Sequence, residues 1–237
     1  MKVLSVGAAA LLTLVLMACG ASSGSDGNGS EIDLEDFSTT IDNPLFPLSA
    51  YSLMVYEGED VDPDTGETLT ARVEMTVMPG TRKTVAGVEV LVVQDQAFED
   101  GELIESTLDY FAQHADGTVY YFGEDVDNYE DGEIKDHEGS WLAGEGKNQP
   151  GVIMPAPQVG DVFEQEKAPG IAEDRMTVLS VMESVDVPAG SFEDCVKTED
   201  VNPLDKTLAI ENKFYCPDIG FVREEFTEGS LELTSYE

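Results

Sequence analysis

The sequence predicts an all-β fold, an antiparallel meander of about ten strands that forms a barrel or a sandwich. Three observations support this prediction: short runs rich in β-branched and aromatic residues follow one another closely, turn residues separate them, and no long segment has helical periodicity. Strands so closely spaced leave no room for crossover helices, so neighbours are expected to run antiparallel. At most one short helix is expected, near the N-terminus at 31–37.

The chain begins with an export signal and a lipid attachment site. Lys2 precedes an apolar run from Val3 to Met17, which is too short to span a membrane and suits the core of a secretory signal. The run ends in "LMAC" (16–19), a sequence typical of a bacterial lipobox. Residues 1–18 are therefore predicted to be a lipoprotein signal peptide, with Cys19 acylated. The alternative is a plain signal peptide with an incidental cysteine.

A tether and one domain are expected to follow. Residues 19–31 begin with the lipidated cysteine and continue with small and polar residues, so this stretch should be flexible. Residues 32–237 suit a single, larger all-β domain. Two or three acyl chains would hold the protein on the membrane. Its expected location is the outer face of the cytoplasmic membrane or the periplasmic side of an outer membrane.

The charge of the chain excludes one class of partner. Acidic residues number 49 against 12 basic ones, for a formal net charge of −37. A surface this negative repels phosphate backbones, so no nucleic-acid partner is expected. Solubility, adaptation to high salt and attraction of cations are the three explanations for such acidity.

Alternation and turn residues place the strands. Residues 69–77 alternate apolar and polar side chains, as in a half-buried strand. Residues 88–94 and 118–122 are denser in β-branched and aromatic types, as expected of strands covered on both faces. Tight hairpin turns are predicted at three Asp-Gly pairs, which recur at nearly equal intervals: 100–101, 116–117 and 131–132.

The third Asp-Gly pair lies in a segment, 127–138, whose acidic residues have nearly the spacing of a calcium-binding loop. An EF-hand needs a helix on each side and an oxygen ligand at the third position, where this chain has Tyr129. The hairpin interpretation is therefore preferred, and no cofactor is expected. The alternative is a weak surface Ca²⁺ site, and its ligands would be Asp125, Asp127, Asp131 and Glu138.

Two cysteines remain after lipidation, and an exported protein meets an oxidising compartment, so a disulfide between Cys195 and Cys216 is expected. Strict alternation places Cys195 on the same side as Glu193 and Lys197, away from the apolar side that carries Cys216. A bulge would reconcile the two positions; otherwise the cysteines stay unlinked.

Residues 142–158 interrupt the strand pattern. The segment is rich in Gly and Pro and follows Trp141, the only tryptophan. Connections of this length without structure of their own are mobile or functional. Trp141, with Ile153 and Met154, is a candidate ligand pocket at one end of the fold. In the alternative, Trp141 fills the core and the prolines stiffen an exposed connection.

Six phrases in this order resemble a group of exported β-rich proteins and lipoproteins from bacteria, notably actinobacteria. They are "IDNPLFPL" (41–48), "YFGED" (121–125), "EGSW" (138–141), "QPGVIMP" (149–155), "VPAGSF" (187–192) and "FYCPDIGFV" (214–222). The resemblance covers nearly all of the predicted domain. It implies export and an antiparallel, barrel-like fold of the calycin type. No activity, cofactor or catalytic residue comes with it.

The sequence therefore predicts a membrane-tethered, non-enzymatic protein that binds an apolar small molecule or an envelope component. The alternative is a cation-binding surface module. A hydrolase of unusual type ranks third, because it requires a carboxyl group of perturbed pKa in a deep pocket, and no nucleophile in the sequence has an identifiable base.

Replacing the predicted lipid acceptor tests the first element. In a bacterial host, Cys19→Ser should remove the acyl chains and move the full chain from the detergent phase to the aqueous phase. Phase partitioning with labelled fatty acid measures the change, and Ser22→Ala is the matched control. A Cys19→Ser chain that still takes up label would contradict the lipobox.

Overall fold

A computed structural model describes residues 36–61, 65–206, 209–227 and 229–237. The predicted signal peptide, Cys19 and the tether lie outside these residues, as does most of the predicted 31–37 helix, whose last residue belongs to a strand. Within the described ranges, no helix is long and apolar enough to cross a membrane. A 3₁₀ turn occupies Leu48–Ala50.

The described residues form sixteen strands. They are β1 (Phe37–Ser38), β2 (Leu53–Val61), β3 (Thr68–Val77), β4 (Lys83–Val85), β5 (Val88–Glu99), β6 (Glu102–His114), β7 (Val119–Glu130), β8 (Glu133–Asp136), β9 (Trp141–Leu142), β10 (Gly151–Met154), β11 (Val162–Glu164), β12 (Arg175–Val187), β13 (Gly190–Val201), β14 (Ile210–Cys216), β15 (Gly220–Phe226) and β16 (Gly229–Tyr236).

One antiparallel sheet runs in the order β10-β7-β6-β5-β3-β2-β16-β15-β14-β13-β12-β11, and β1, β4, β8 and β9 pair beside this path. The predicted all-β antiparallel class is confirmed. The predicted count of about ten strands is wrong, because strands of two to four residues such as β1 and β9 are too short for an alternating pattern.

The predicted barrel closure is also wrong, since the sheet path has two ends, β10 and β11. The chain near these ends meets at an isolated bridge between Gln149 and Lys167 rather than along a continuous ladder. Closure of a barrel requires an unbroken ladder between the first and last strands. The result is an open, rolled sheet.

Two apolar clusters hold the sheet. Trp141, Phe122 and Ile41 lie in the first cluster, and Tyr56 and Leu233 lie in the second. Residues Leu69, Ala71, Val73 and Val77 of β3 are buried, which confirms the half-buried strand. Val90, Leu91, Val92 and Val93 of β5 are buried in succession, so both faces of that strand are covered, as predicted.

The three Asp-Gly pairs lie in hairpin turns, as predicted. Asp100 and Gly101 have φ of 47° and 83°, and Asp131 and Gly132 have φ of 56° and 77°. Positive φ at both central residues is the geometry that matches the twist of paired strands. In the 116–117 turn, the Gly117 N–H donates to the His114 carbonyl at 2.9 Å.

A disulfide links β13 to β14. The Cys195 and Cys216 sulfur atoms are 2.02 Å apart. The alternation of β13 breaks at Asp194, which has a φ of 57°, and both Cys195 and Val196 are buried after it. This irregularity turns Cys195 toward the apolar side, where strict alternation would not place it.

The 142–158 segment has structure of its own, contrary to the sequence interpretation. Its residues Gly151–Met154 form β10, which pairs with β7. The sequence signal was weak because Pro150 and Pro155 flank a strand of only four residues. The segment therefore forms one edge of the sheet.

Gly151 lies where the two ends of the sheet approach each other. A Cβ atom at this position would lie 1.8 Å from the Gln165 carbonyl oxygen, so Gly151→Ala forces the backbones apart. We expect a loss of about 1–3 kcal/mol in the free energy of unfolding, measured by urea denaturation. Gly80→Ala, with open space around it, should change this by less than about 0.5 kcal/mol. Equal effects would contradict the close approach.

Candidate functional site

A cavity of about 140 Å³ lies inside the rolled sheet, lined by residues from both halves of the chain. Six carboxylic acids and one lysine line it: Asp95, Asp109, Glu124, Glu166, Asp174, Glu224 and Lys213. Five aromatic residues complete most of the wall: Phe46, Phe111, Tyr121, Tyr215 and Phe221. We call this space the acidic cavity.

Strands β6 and β7 supply the first group of acids. Side chains at alternate positions of a strand share a face, so Glu105, Thr107 and Asp109 of β6 point the same way, and all three are buried. Asp109 lies directly opposite Glu124 of β7 in the pairing of the strands. The Tyr121 hydroxyl donates a hydrogen bond to Asp109.

Burial changes the protonation of this group. Loss of hydration raises the pKa of Glu105 and of Asp109 to about 7. Burial, followed by the nearby Glu166 and Asp109, raises the pKa of Glu124 well above its usual range. A buried carboxyl group without a cation is more stable protonated, since the neutral form loses less hydration energy.

Lys213 of β14 is the centre of the second group. Its Nζ atom lies 3.4 Å from Asp200 of β13, 3.6 Å from Glu224 of β15 and 3.5 Å from Glu211. Burial lowers the pKa of Lys213, but the carboxylates of Glu224, Asp200 and Glu211 outweigh it, and the pKa lies well above the usual value. Lys213 therefore stays charged and is fully engaged by its neighbours.

The connection between β11 and β12 supplies Glu166 and Asp174. The Gln165 N–H donates to the Asp174 carbonyl at 2.8 Å, which holds the two ends of this connection together. Burial raises the pKa of Glu166 to about 8, and burial raises that of Asp174 to about 7. Four carboxyl oxygens on the cavity wall have no hydrogen-bond partner among the described residues: Glu124 Oε1, Glu166 Oε2, Asp174 Oδ1 and Glu224 Oε1. Of these, Glu224 Oε1 lies 3.6 Å from the Lys213 Nζ atom.

Aromatic rings form the remaining wall. Phe111 and Tyr121 are stacked with centroids 4.8 Å apart, and Phe46 meets Phe111 edge to face at 5.5 Å. Tyr215 and Phe221 lie 5.7 Å apart. Such rings offer apolar area and an electron-rich face to a ligand.

The predicted pocket residues take different positions. Ile153 lines the acidic cavity. Trp141 is buried and packs edge to face on Tyr121, with the ring centroids 5.5 Å apart. It therefore lies behind the cavity wall and does not line the cavity itself. Met154 is fully buried in the first apolar cluster.

The alternative Ca²⁺ ligands have separate partners. Asp125 accepts hydrogen bonds from Tyr110 at 2.5 Å and from Lys83 at 3.1 Å. Asp127 lies 2.8 Å from His137, and Asp131 is in the hairpin turn. Across the described ranges, no group of three or more His, Cys, Asp or Glu residues is arranged to hold a metal ion.

Sequence reasoning missed the cavity acids, because so many acidic residues make close carboxyl pairs expected by chance. One signal was present: Glu124 lies two residues after the 118–122 run, separated from it by Gly123, and that run was predicted to have both faces covered. An acid inside such a strand is expected to be buried, and buried acids are unusual.

Comparison with known proteins yields fold likenesses at low identity. No protein-family model matches the sequence, and no curated protein matches it. A crystal structure of a Bacteroides fragilis protein, described as exported and of YmcC-like fold, is 13% identical with a TM-score of 0.44 and covers 78% of this chain and 94% of its own. A Parabacteroides distasonis protein, described as a lipoprotein, is 14% identical with a TM-score of 0.42 and covers 82% and 99%.

The raised pKa values predict how stability depends on pH. The folded chain holds protons on Glu166, Asp174 and their neighbours up to about pH 7 or 8, whereas the unfolded chain releases them near pH 4. The free energy of unfolding should therefore be highest in mild acid and fall as pH rises from about 4.5 to 8, by about 1.4 kcal/mol per pH unit for each retained proton.

Urea denaturation across this pH range measures the slope. Glu166→Gln removes one titrating group and should reduce the slope by about one proton. Glu164→Gln, with a half-exposed side chain, is the matched control and should leave it unchanged. A free energy that rises over this range would contradict the protonated interior.

Proposed function

We propose that this chain is a lipid-anchored, extracytoplasmic binding protein whose ligand site is the acidic cavity. The lipobox at 16–19 supports the location, since acylation occurs on exported chains. The cavity supports binding, because an interior space of about 150 Å³ accommodates a molecule the size of benzene. A larger envelope component would bind through a group of this size.

One observation carries the proposal: Glu124 Oε1 and Glu166 Oε2, one oxygen of each carboxyl group, have no hydrogen-bond partner among the described residues, although both side chains are buried. A buried polar atom without a partner costs about 1–3 kcal/mol, so folded proteins rarely keep one without a reason. A ligand that donates hydrogen bonds recovers this cost. The ligand is therefore not purely apolar, which revises the expectation from Trp141, Ile153 and Met154.

A hydrolase is the second candidate. Glu166 and Glu224 lie on the cavity wall and have pKa values of about 8, raised mainly by burial. They therefore meet the requirement for a carboxyl group of perturbed pKa in a pocket. A carboxyl group protonated near neutral pH can act as a general acid. Hydrolysis also needs a nucleophile or an activated water, whereas binding needs only the groups described, so binding is the better supported function.

Filling the cavity tests the proposed function. Val73 lines the cavity, and Val73→Phe should occupy the space that the ligand needs. In protein with labelled methionine methyl groups, an extract of small molecules from bacterial envelopes should shift the Met75 resonance saturably in the wild type and not in Val73→Phe. Met182, which is 78% exposed, should not shift in either.

The matched control is Val159→Phe, because Val159 is exposed and does not line the cavity. This variant should respond as the wild type does. A Met75 resonance that stays fixed in the wild type, or shifts equally in Val73→Phe, would refute ligand binding in the cavity.

A further inference from the structure

The acidic cavity contains more carboxyl groups than its one ammonium group engages. Lys213 lies within 3.6 Å of Asp200, Glu211 and Glu224. On the wall formed by β6 and β7, no lysine, arginine or histidine of the described residues forms an ion pair with Asp109 or Glu124, and no such group influences their pKa. Within the described chain, protons rather than cations therefore neutralise the carboxyl groups of this wall.

The unpartnered carboxyl oxygens indicate which kind of group complements the cavity wall. Glu124 is 1% exposed and Glu166 is 6% exposed, and each has one oxygen on the cavity wall without a partner. Asp174 contributes a third such oxygen. All three atoms are acceptors when ionised, so the complementary group is a donor with positive charge. The unpartnered Glu224 oxygen has Lys213 beside it, whereas Glu124, Glu166 and Asp174 form no ion pair among the described residues. A primary ammonium group has three donors, one for each of their three oxygens.

The acidity of the surface does not explain this group. Carboxylates that serve solubility or salt adaptation are solvated, whereas Glu124 and Glu166 lie inside the fold, where an unpaired charge is costly. In the folded chain protons compensate for this burial, and a bound cation would replace those protons.

The aromatic wall distinguishes an organic cation from a metal ion. Tyr121 and Phe111 are stacked beside the acids, and their ring faces attract ammonium groups and cover apolar stems. A metal ion would need several oxygens converging at short range, and the described residues contain no such arrangement. A cavity of about 140 Å³ is also larger than a bare ion requires.

Resting on the binding function proposed above, we infer that the ligand of the acidic cavity is a small organic cation. It is a primary ammonium with an apolar body the size of a benzene ring or a short alkyl chain. The ammonium lies against Glu124, Glu166 and Asp174, and the apolar body lies against the aromatic wall.

Binding of this cation releases protons. The titratable groups that line the cavity are Asp95, Asp109, Glu124, Glu166, Asp174 and Glu224, with Tyr121, Tyr215 and Lys213. Glu105 does not line the cavity but raises the pKa of Glu124. An ammonium favours the ionised form of the carboxyl groups that it touches, so protons held there pass to the solvent. Affinity should therefore increase as pH rises from about 5 to 8.

Isothermal titration calorimetry of the folded protein tests the inference at about pH 7.5. The probes are benzylammonium and butylammonium chloride, their neutral isosteres benzyl alcohol and butanol, and calcium chloride. Each amine should bind at least about tenfold more tightly than its alcohol. The heat should differ between buffers of different ionisation enthalpy, since protons are released.

Two variants locate the site. Glu124→Gln removes the charge with little change of shape. It should weaken the binding of the amines at least about tenfold and leave the affinity for the alcohols unchanged. Glu164→Gln should leave the affinities for amines and alcohols unchanged, because Glu164 is half-exposed and does not line the cavity. Melting curves verify that both variants are folded.

The other outcomes overturn the inference in distinguishable ways. Alcohols that bind as tightly as amines would refute the cation and leave the binding function intact. Calcium that binds while both amines fail would replace the organic cation with a metal. If neither amine binds, the inference fails, and the Met75 response to envelope extract then decides separately whether the proposed function also fails.

Discussion

The pairing of Lys213 with its surrounding carboxylates is the interaction on which the interior depends. A single ammonium group on β14 meets Asp200 on β13 and Glu224 on β15, so one side chain connects three neighbouring strands. Removing charges from water is costly, and such a cluster is stable only when opposite charges lie close together. Beyond its reach, burial raises the pKa of Asp109 and Glu124, so the proton takes the place of a cation.

The open edges of the sheet make the acidic cavity possible. Because β10 and β11 do not pair along their length, the connection after β11 can place Glu166 and Asp174 on the cavity wall. Gly151 permits the close approach that holds this connection, since any side chain there would meet the Gln165 carbonyl. A continuously paired barrel would have covered these positions with ladder hydrogen bonds.

Local features of the sequence predicted local features of the fold. The Asp-Gly turns were predictable because positive φ is a property of the residues themselves, and the β3 strand was predictable because its alternation is complete. The alternation rule fails, however, for the polar residues of β6 near the acidic cavity. Glu105, Thr107 and Asp109 alternate with Ile104 and Leu108, a pattern typical of a solvated polar face, yet the three polar residues are buried.

The sequence by itself determined the class of fold and the turns, since both follow from residue type and short-range spacing. Export and acylation stay predictions from the sequence. Only the tertiary structure decided which carboxyl groups are buried together. Asp109 and Glu124 are joined by strand pairing, but Glu166, Lys213 and Glu224 reach the same cavity from elements far apart in the chain. Burial is a property of the rolled sheet, and no local pattern distinguishes an acid facing water from one facing an interior.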